Sequence, residues 1–222
     1  MRKLLQGIID YHRHRRPAYK EIFARLALGQ QPDALLIACS DSRVAPNVFA
    51  STEPGDVFVL RNVGNMVPAQ AEAAGCSEHA ALEFAVRQLE VLDIIVCGHS
   101  SCGAMRALLA PEAVVPPLPH LQGWLHHGRA ALEHLRAGAA IDASLPEVDQ
   151  LSQLNVLLQL EHLRGYAEAA ERIERGRLRL HGWWFDIGNA EVLDFDPTAG
   201  AFRVIDESRG AELLTRFAGA PG

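Results

Sequence analysis

The chain alternates between stretches whose apolar residues recur at helical spacing and short runs that are apolar throughout. Leu4, Leu5, Ile8 and Ile9, then Ile22, Phe23 and Leu26, follow a 3.6-residue period. Residues 2–28 therefore read as one or two amphipathic helices, interrupted near Pro17. Three runs follow: 34–38 "ALLIA", 56–60 "DVFVL" and 93–97 "DIIVC". Each is apolar at its centre and closes on small or polar residues, the pattern of a strand buried on both faces. Helical periodicity returns over 78–90 and 103–110. Pro116, Pro117 and Pro119 then break the chain before two more helical stretches, about 120–137 and 146–175. Residues 177–187 and 190–196 alternate around Gly188-Asn189, which predicts an antiparallel edge hairpin, and a last short helix fits 209–217.

Strand–helix–strand order predicts an α/β fold with right-handed crossovers. The expected architecture is a central, mostly parallel β-sheet with an antiparallel edge, flanked by helices. It forms one domain, with an N-terminal helical arm over 1–28, a core over 29–196 and a C-terminal segment over 197–222. In open parallel sheets ligands gather at the carboxyl ends of the strands. Two predicted strands end in segments rich in reactive side chains, "CSDSR" at 39–43 and "CGHSSCG" at 97–103.

Cys39 closes one strand; His99 and Cys102 follow another as H-x-x-C. Thiolate and imidazole suit Zn²⁺, and a Cys₂His set leaves a fourth tetrahedral position open, as catalytic sites do. The competing reading is that each cysteine is a small buried hydrophobe. Cys97 falls on the other face of its strand and reads as core, and Cys76 has no partner motif. Gly98 reads as a tight strand-to-loop turn and Gly103 as a close backbone approach at a helix start. Asp41 either binds the metal or accepts a hydrogen bond from its water, and Arg43 is placed to pair with it through two bonds. A plain turn with an exposed ion pair is the alternative for Asp-Ser-Arg.

Composition narrows the class. With 21 basic against 27 acidic residues the net charge is −6, which argues against a nucleic-acid partner. The cluster "RHRR" at 13–16 reads as a solvated helix face. No stretch approaches the roughly 18 apolar residues of a membrane span, and the N-terminus lacks a secretory pattern. The expected location is cytoplasmic, so the four cysteines should stay reduced.

"CSDSR" followed about sixty residues later by "GHSSCGAM" resembles the signature pair of the β-class carbonic anhydrases, a match extended by "EPGDVFVLRNVGNMVP", "LEFAV" and "LHGWWFDI". The detail is most similar to the plant-type and cyanate-operon-type branch. The resemblance implies reversible hydration of CO₂ to bicarbonate and a proton by attack of zinc-bound hydroxide. One Zn²⁺ would sit on Cys39, His99 and Cys102, with Asp41 orienting the hydroxide and binding the metal only in a closed form, and Arg43 fixing Asp41. Phe58, Val63, Phe84 and the Gly103 backbone would form a small apolar pocket, and Gln30 would supply an amide donor. Some of these groups come from a neighbouring subunit in the family, which implies a homodimer or higher homo-oligomer embraced by the N-terminal arm.

Phe84 stands where many plant-type members have tyrosine, and "GCSEHAA" at 75–81 places His79 near the expected approach to the site. There it would either shuttle protons or be an exposed helix-face residue. His126 and His127 read as surface residues. A bicarbonate-regulated branch holds an inhibitory anion with Trp, Arg and Tyr; the matching residues are Leu36, Arg61 and Phe185. Only the arginine is kept, so the expectation is no such site and Asp41 off the metal at neutral pH. Hydrolysis of carbonyl sulfide on the same site, and a non-catalytic zinc module with four closed ligands, are the competing functions.

Overall fold

A computed structural model describes residues 1–218. In chain order its elements are α1 (Arg2–Asp10), α2 (Arg16–Leu26), β1 (Ala34–Cys39), α3 (Pro46–Phe49), β2 (Val57–Asn62), α4 (Ser77–Glu83) and β3 (Asp93–His99). Then come α5 (Gly103–Leu109), α6 (Pro119–Leu125), α7 (Arg129–Arg136), α8 (Glu147–Gly165), α9 (Ala167–Glu174), β4 (Arg179–Asp186), β5 (Glu191–Asp196), β6 (Ala201–Val204) and α10 (Glu207–Ala218).

The six strands form one sheet in the order β2-β1-β3-β4-β5-β6. The first three pairings are parallel, and β4–β5 and β5–β6 are antiparallel. This is the mostly parallel sheet with an antiparallel edge that the pattern predicts. All six residues of β1 are buried, as a central strand packed on both faces requires. Leu35, Ile37, Ile94 and Val96 face α8 through Val156, Leu160 and Leu163. Ala34, Leu36, Ala38, Ile95 and Cys97 face the other way, against Val44, Phe49 and Phe185.

Several boundaries differ from the pattern. The N-terminal helix is not broken at Pro17: a wide turn over Tyr11–Arg15 leads into α2, whose first turn holds the proline where a missing N–H costs little. No residue of α1 is buried, so its apolar stripe has no partner among the described residues. The stretch 146–175 is two helices, parted at Tyr166, which leaves helical geometry to bury its ring and donate to the Pro68 carbonyl at 2.6 Å. The C-terminal segment gains a strand, β6. Arg209 of α10 pairs in two bonds with buried Asp194 of β5, at 2.9 and 2.7 Å. Residues 219–222 of that segment lie outside the described residues. Among the described residues no helix is long and apolar enough to cross a membrane.

Candidate metal centre

β1 and β3 lie side by side in parallel, so their carboxyl ends deliver Cys39 and His99 to the same end of the sheet. Cys102 caps the start of α5, three residues on. The two sulfurs and one imidazole nitrogen lie within 4.8 Å of one another, and all three residues are buried. His99 Nδ1 donates to the Ser100 carbonyl at 2.9 Å, which leaves Nε2 as the lone-pair nitrogen. That nitrogen is buried and has no partner. An imidazole whose far nitrogen is pinned to a carbonyl while its near nitrogen faces two thiols is arranged as a metal ligand.

The neighbouring Cys102 side chain, against the upward push of burial and together with His99 and the N–H groups of Asp41 and Gly64, holds the Cys39 thiol below its ordinary range. Cys102 is pushed upward in turn by the neighbouring sulfur and by burial. Two thiols gathered with an imidazole in one buried cluster are groups whose protons a divalent cation would displace. Burial pushes Cys97 up to about 12, which fits a core thiol on the opposite face.

Asp41 and Arg43 pair as a fork: Nε to Oδ1 at 2.9 Å and Nη2 to Oδ2 at 2.7 Å. The Arg43 backbone N–H adds a bond to Oδ1 at 3.0 Å, so Oδ2 is the oxygen with acceptor capacity to spare. The Arg43 side chain holds the Asp41 carboxyl well below the usual carboxylate range. Arg43 also bonds the Ser101 carbonyl at 3.1 Å, and buried Asp149 takes the Ser101 N–H at 2.6 Å. Ser101 is thereby held at a φ of 55°, in the left-handed region between the two ligands of the H-x-x-C segment.

The loop after β2 forms another wall. Gly64 has a φ of 83°, and its N–H points at Cys39 Sγ, 3.4 Å away. A Cβ there would lie 3.0 Å from the Ala104 side chain, so only glycine suits the position. Trp124 Nε1 donates to the Val63 carbonyl at 2.7 Å, and Asn155 Nδ2 to the Gly64 carbonyl at 3.1 Å. Sequence reasoning missed Trp124, Asp149 and Asn155. The signal for the last was Ser152, Asn155 and Gln159 in phase with the buried leucines of α8, polar groups on a face that hydrophobicity alone would fill with aliphatics.

Gly98 lies inside β3, not at a turn. A Cβ there would meet Val156 Cγ2 of α8 at 2.7 Å, so its role is close helix–sheet packing. At Gly103 a Cβ would enter open space.

The expected pocket residues divide into two groups. Val63 and Gly103 adjoin the cluster. Phe58 pairs with Leu35 in the register where Asn62 pairs with Cys39, four residues along. Its ring contacts Phe84 at 5.8 Å, and Gln30 precedes β1 altogether and is exposed. Strand rise makes the offset from Phe58 to Asn62 about 13 Å. Within one chain, Gln30, Phe58 and Phe84 therefore lie toward the far end of the strands from Cys39.

Leu36 is buried, Phe185 stacks on Phe49 at 4.8 Å, and the Arg61 guanidinium donates to the carbonyls of Cys39, Asp41 and Val44. His79 is not free on its helix face: its Nε2 lies 2.9 Å from Glu168 and its ring packs edge-on to Tyr166. His127 is not a surface residue but 9% exposed.

The carbonic anhydrase family matches residues 34–192. The carbonic anhydrase of Pseudomonas aeruginosa is 44% identical over 208 residues, 91% of this chain and 90% of that protein. The Synechocystis carbonic anhydrase is 39% identical, covering 94% of this chain and 76% of that protein. Among solved structures, the β-carbonic anhydrase CcaA superposes with a TM-score of 0.86 at 37% identity, covering 93% of this chain and 92% of that one. One of two tetrameric β-carbonic anhydrases of Sordaria macrospora superposes at 0.75 and 30% identity, covering 87% and 95%. With the family matched from β1 to the start of β5, including the strand ends that carry Cys39 and His99, the chain belongs to the β-class carbonic anhydrases.

Proposed function

We propose that Cys39, His99 and Cys102 hold one Zn²⁺ per chain and that the chain catalyses reversible hydration of CO₂ to bicarbonate and a proton. The donor set fits the ion: two sulfurs and an unpartnered imidazole nitrogen, with no fourth Cys or His ligand gathered among the described residues. When bound, Zn²⁺ supplies Lewis-acid activation of water near neutral pH. Asp41, ionised throughout the working range, accepts the hydrogen of the attacking oxygen on Oδ2 and turns its lone pair toward the CO₂ carbon. Arg43 occupies both carboxylate oxygens and so keeps Asp41 from becoming a ligand. This locked acceptor beside a three-donor cluster is the observation that carries the reading.

CO₂ has neither charge nor dipole, so a dry apolar pocket with one donor suffices to position it. Val63 and the Gly103 backbone line one side. Gln30, Phe58 and Phe84 line the other, contributed by a second copy of the chain, with the exposed stripe of α1 laid against that partner. Arg61, committed to three backbone carbonyls, braces the segment from Cys39 to Val44 and holds no inhibitory anion. The free cysteines and the absence of a membrane-length helix among the described residues accord with a cytoplasmic enzyme.

Stopped-flow CO₂ hydration with a pH-indicating dye tests the reading on protein of measured zinc content. Turnover should scale with zinc and collapse in Asp41→Ala while zinc is retained. A zinc-loaded sample no faster than buffer would overturn it, and sulfide release from carbonyl sulfide, measured alongside, reports the competing substrate.

A further inference from the structure

A second cluster of donors lies apart from the cysteines. Glu72, His126 and His127 bring one carboxylate oxygen and two imidazole nitrogens within 4.8 Å of one another. Glu72 closes the short turn Gln70–Glu72, and the two histidines form the corner Gly128 completes between α6 and α7. His126 Nδ1 donates to the Gly123 carbonyl, which can only accept. Its Nε2, 2.9 Å from Glu72 Oε2, therefore presents either a lone pair to an anion or a second N–H.

His127 Nδ1 lies 3.3 Å from the same Glu72 oxygen without hydrogen-bond geometry, and it is buried with no partner. Among the described residues, two buried imidazole nitrogens lack a partner, His99 Nε2 and His127 Nδ1. Each sits in a cluster of three donors. The rings of His126 and His127 are 3.8 Å apart, too close for two imidazolium charges to share one carboxylate comfortably. A divalent cation satisfies all three groups at once, taking a lone pair from each.

We propose that Glu72, His126 and His127 form a second metal site that binds a divalent transition ion of borderline softness, Zn²⁺ being the natural occupant. Two imidazoles and one carboxylate are a recurrent ligand set for that ion, and the absence of sulfur separates this site chemically from the first. Glu72 and His126 are about half exposed, at 53% and 43%, which gives an ion an entry path from solvent. The Trp124 indole packs edge-on to His127 at 5.0 Å and bonds the Val63 carbonyl, while Gln159 bonds the His127 carbonyl at 3.3 Å and the Val67 N–H at 2.8 Å. An ion here ties the α6–α7 corner to the turn at 70–72, fastening both sides of the loop that carries Val63 and Gly64.

The test titrates Co²⁺ into protein carrying one Zn²⁺ per chain, which leaves the sulfur-free site open, following absorption and residual zinc together. Wild type should take up about one further equivalent per chain, with visible d–d bands and no near-ultraviolet thiolate charge transfer. Glu72→Gln and His126→Ala should weaken that uptake by about a hundredfold, since losing a ligand costs at least what losing a ligand's support does. Both variants should keep the one Zn²⁺ per chain. No further equivalent in wild type, one with thiolate charge transfer, or one bound equally by both variants would overturn the site. The wild-type spectrum needs no variant, so a poorly folding substitution leaves the test standing.

Discussion

The Asp41 carboxylate is fixed by a guanidinium two residues away, and under the proposed mechanism that pair carries different weights in stability and in catalysis. Arg43 is about half exposed, so breaking the pair should cost under about 1 kcal/mol of folding free energy. Its effect on positioning is larger, because a misplaced acceptor near reacting atoms costs about a hundredfold. Arg43→Gln should therefore lower kcat about a hundredfold with near-normal zinc and urea midpoint. Arg43→Lys should not restore it, since a point charge cannot hold two oxygens as a fork does. Wild-type turnover in the glutamine variant would remove Arg43 from the site. At this scale the sequence was legible where partners are local: Asp41 and Arg43 are neighbours, and Cys39, His99 and Cys102 end adjacent strands. Buried His127 was not legible, because neither periodicity nor motif shows that a short turn drives it inward against Glu72, some fifty residues away in sequence. Asp149 was hidden for the same reason, its partner Ser101 lying on another element.

Between elements, the site depends on how closely α8 sits on β3. Gly98→Ala would put a Cβ 2.7 Å from Val156 Cγ2 and 3.1 Å from Trp184, forcing the helix away. Overpacking of this kind costs about 1–3 kcal/mol. Because Ser152 of the same helix donates to the His99 carbonyl at 2.9 Å, the variant should also lose zinc to a chelator faster than wild type. Equal unfolding midpoints and zinc retention would show that the interface yields without loss. At the opposite ends of the strands, Asp93 of β3 takes Arg179 Nε and Nη2 of β4 at 2.7 Å each, and His181 Nε2 at 2.7 Å. Burial raises the Asp93 carboxyl, but the bonds from His181 and Arg179 outweigh it and leave the group below its ordinary range. The group's folded value being the lower one, its contribution is complete above the unfolded value of about 4 and fades as pH falls through the folded one. Asp93→Asn should thus destabilise by about 1–3 kcal/mol at pH 7, with the gap closing in acid, as read by urea unfolding at several pH values. A gap constant with pH would refute the ionic account. The strands and hairpin were legible because a buried strand leaves an unbroken apolar run. β6 was not, since "AFRV" gives four residues of weak alternation, and its assignment rests on pairing with β5.

For the molecule as a whole, the arrangement of pocket residues makes a prediction that no single chain can satisfy. β1 spans six residues, roughly 17 Å, with Cys39 at its end and Gln30 before its start. If one pocket needs both groups, it is assembled from the metal end of one chain and the Gln30 end of another, and two-fold symmetry then makes two such pockets per pair. Chains carrying Gln30→Ala and chains carrying Asp41→Ala should each be nearly inactive alone. Co-expressed, they form mixed pairs in which one pocket combines the intact metal end with the intact Gln30 end, while the other collects both defects. Random pairing makes half the pairs mixed and half their pockets intact, so specific activity should recover to about a quarter of wild type. A pocket built within one chain allows no such recovery, because every pocket would then carry one defect. The same logic assigns a role to the stripe of Leu4, Leu5, Ile8 and Ile9, exposed along α1. Charged substitutions there should lower the recovered activity and the sedimenting mass together while zinc per chain stays constant. The metal end of each chain is built from its own strands, so on the proposed assembly only the far wall of the pocket is borrowed.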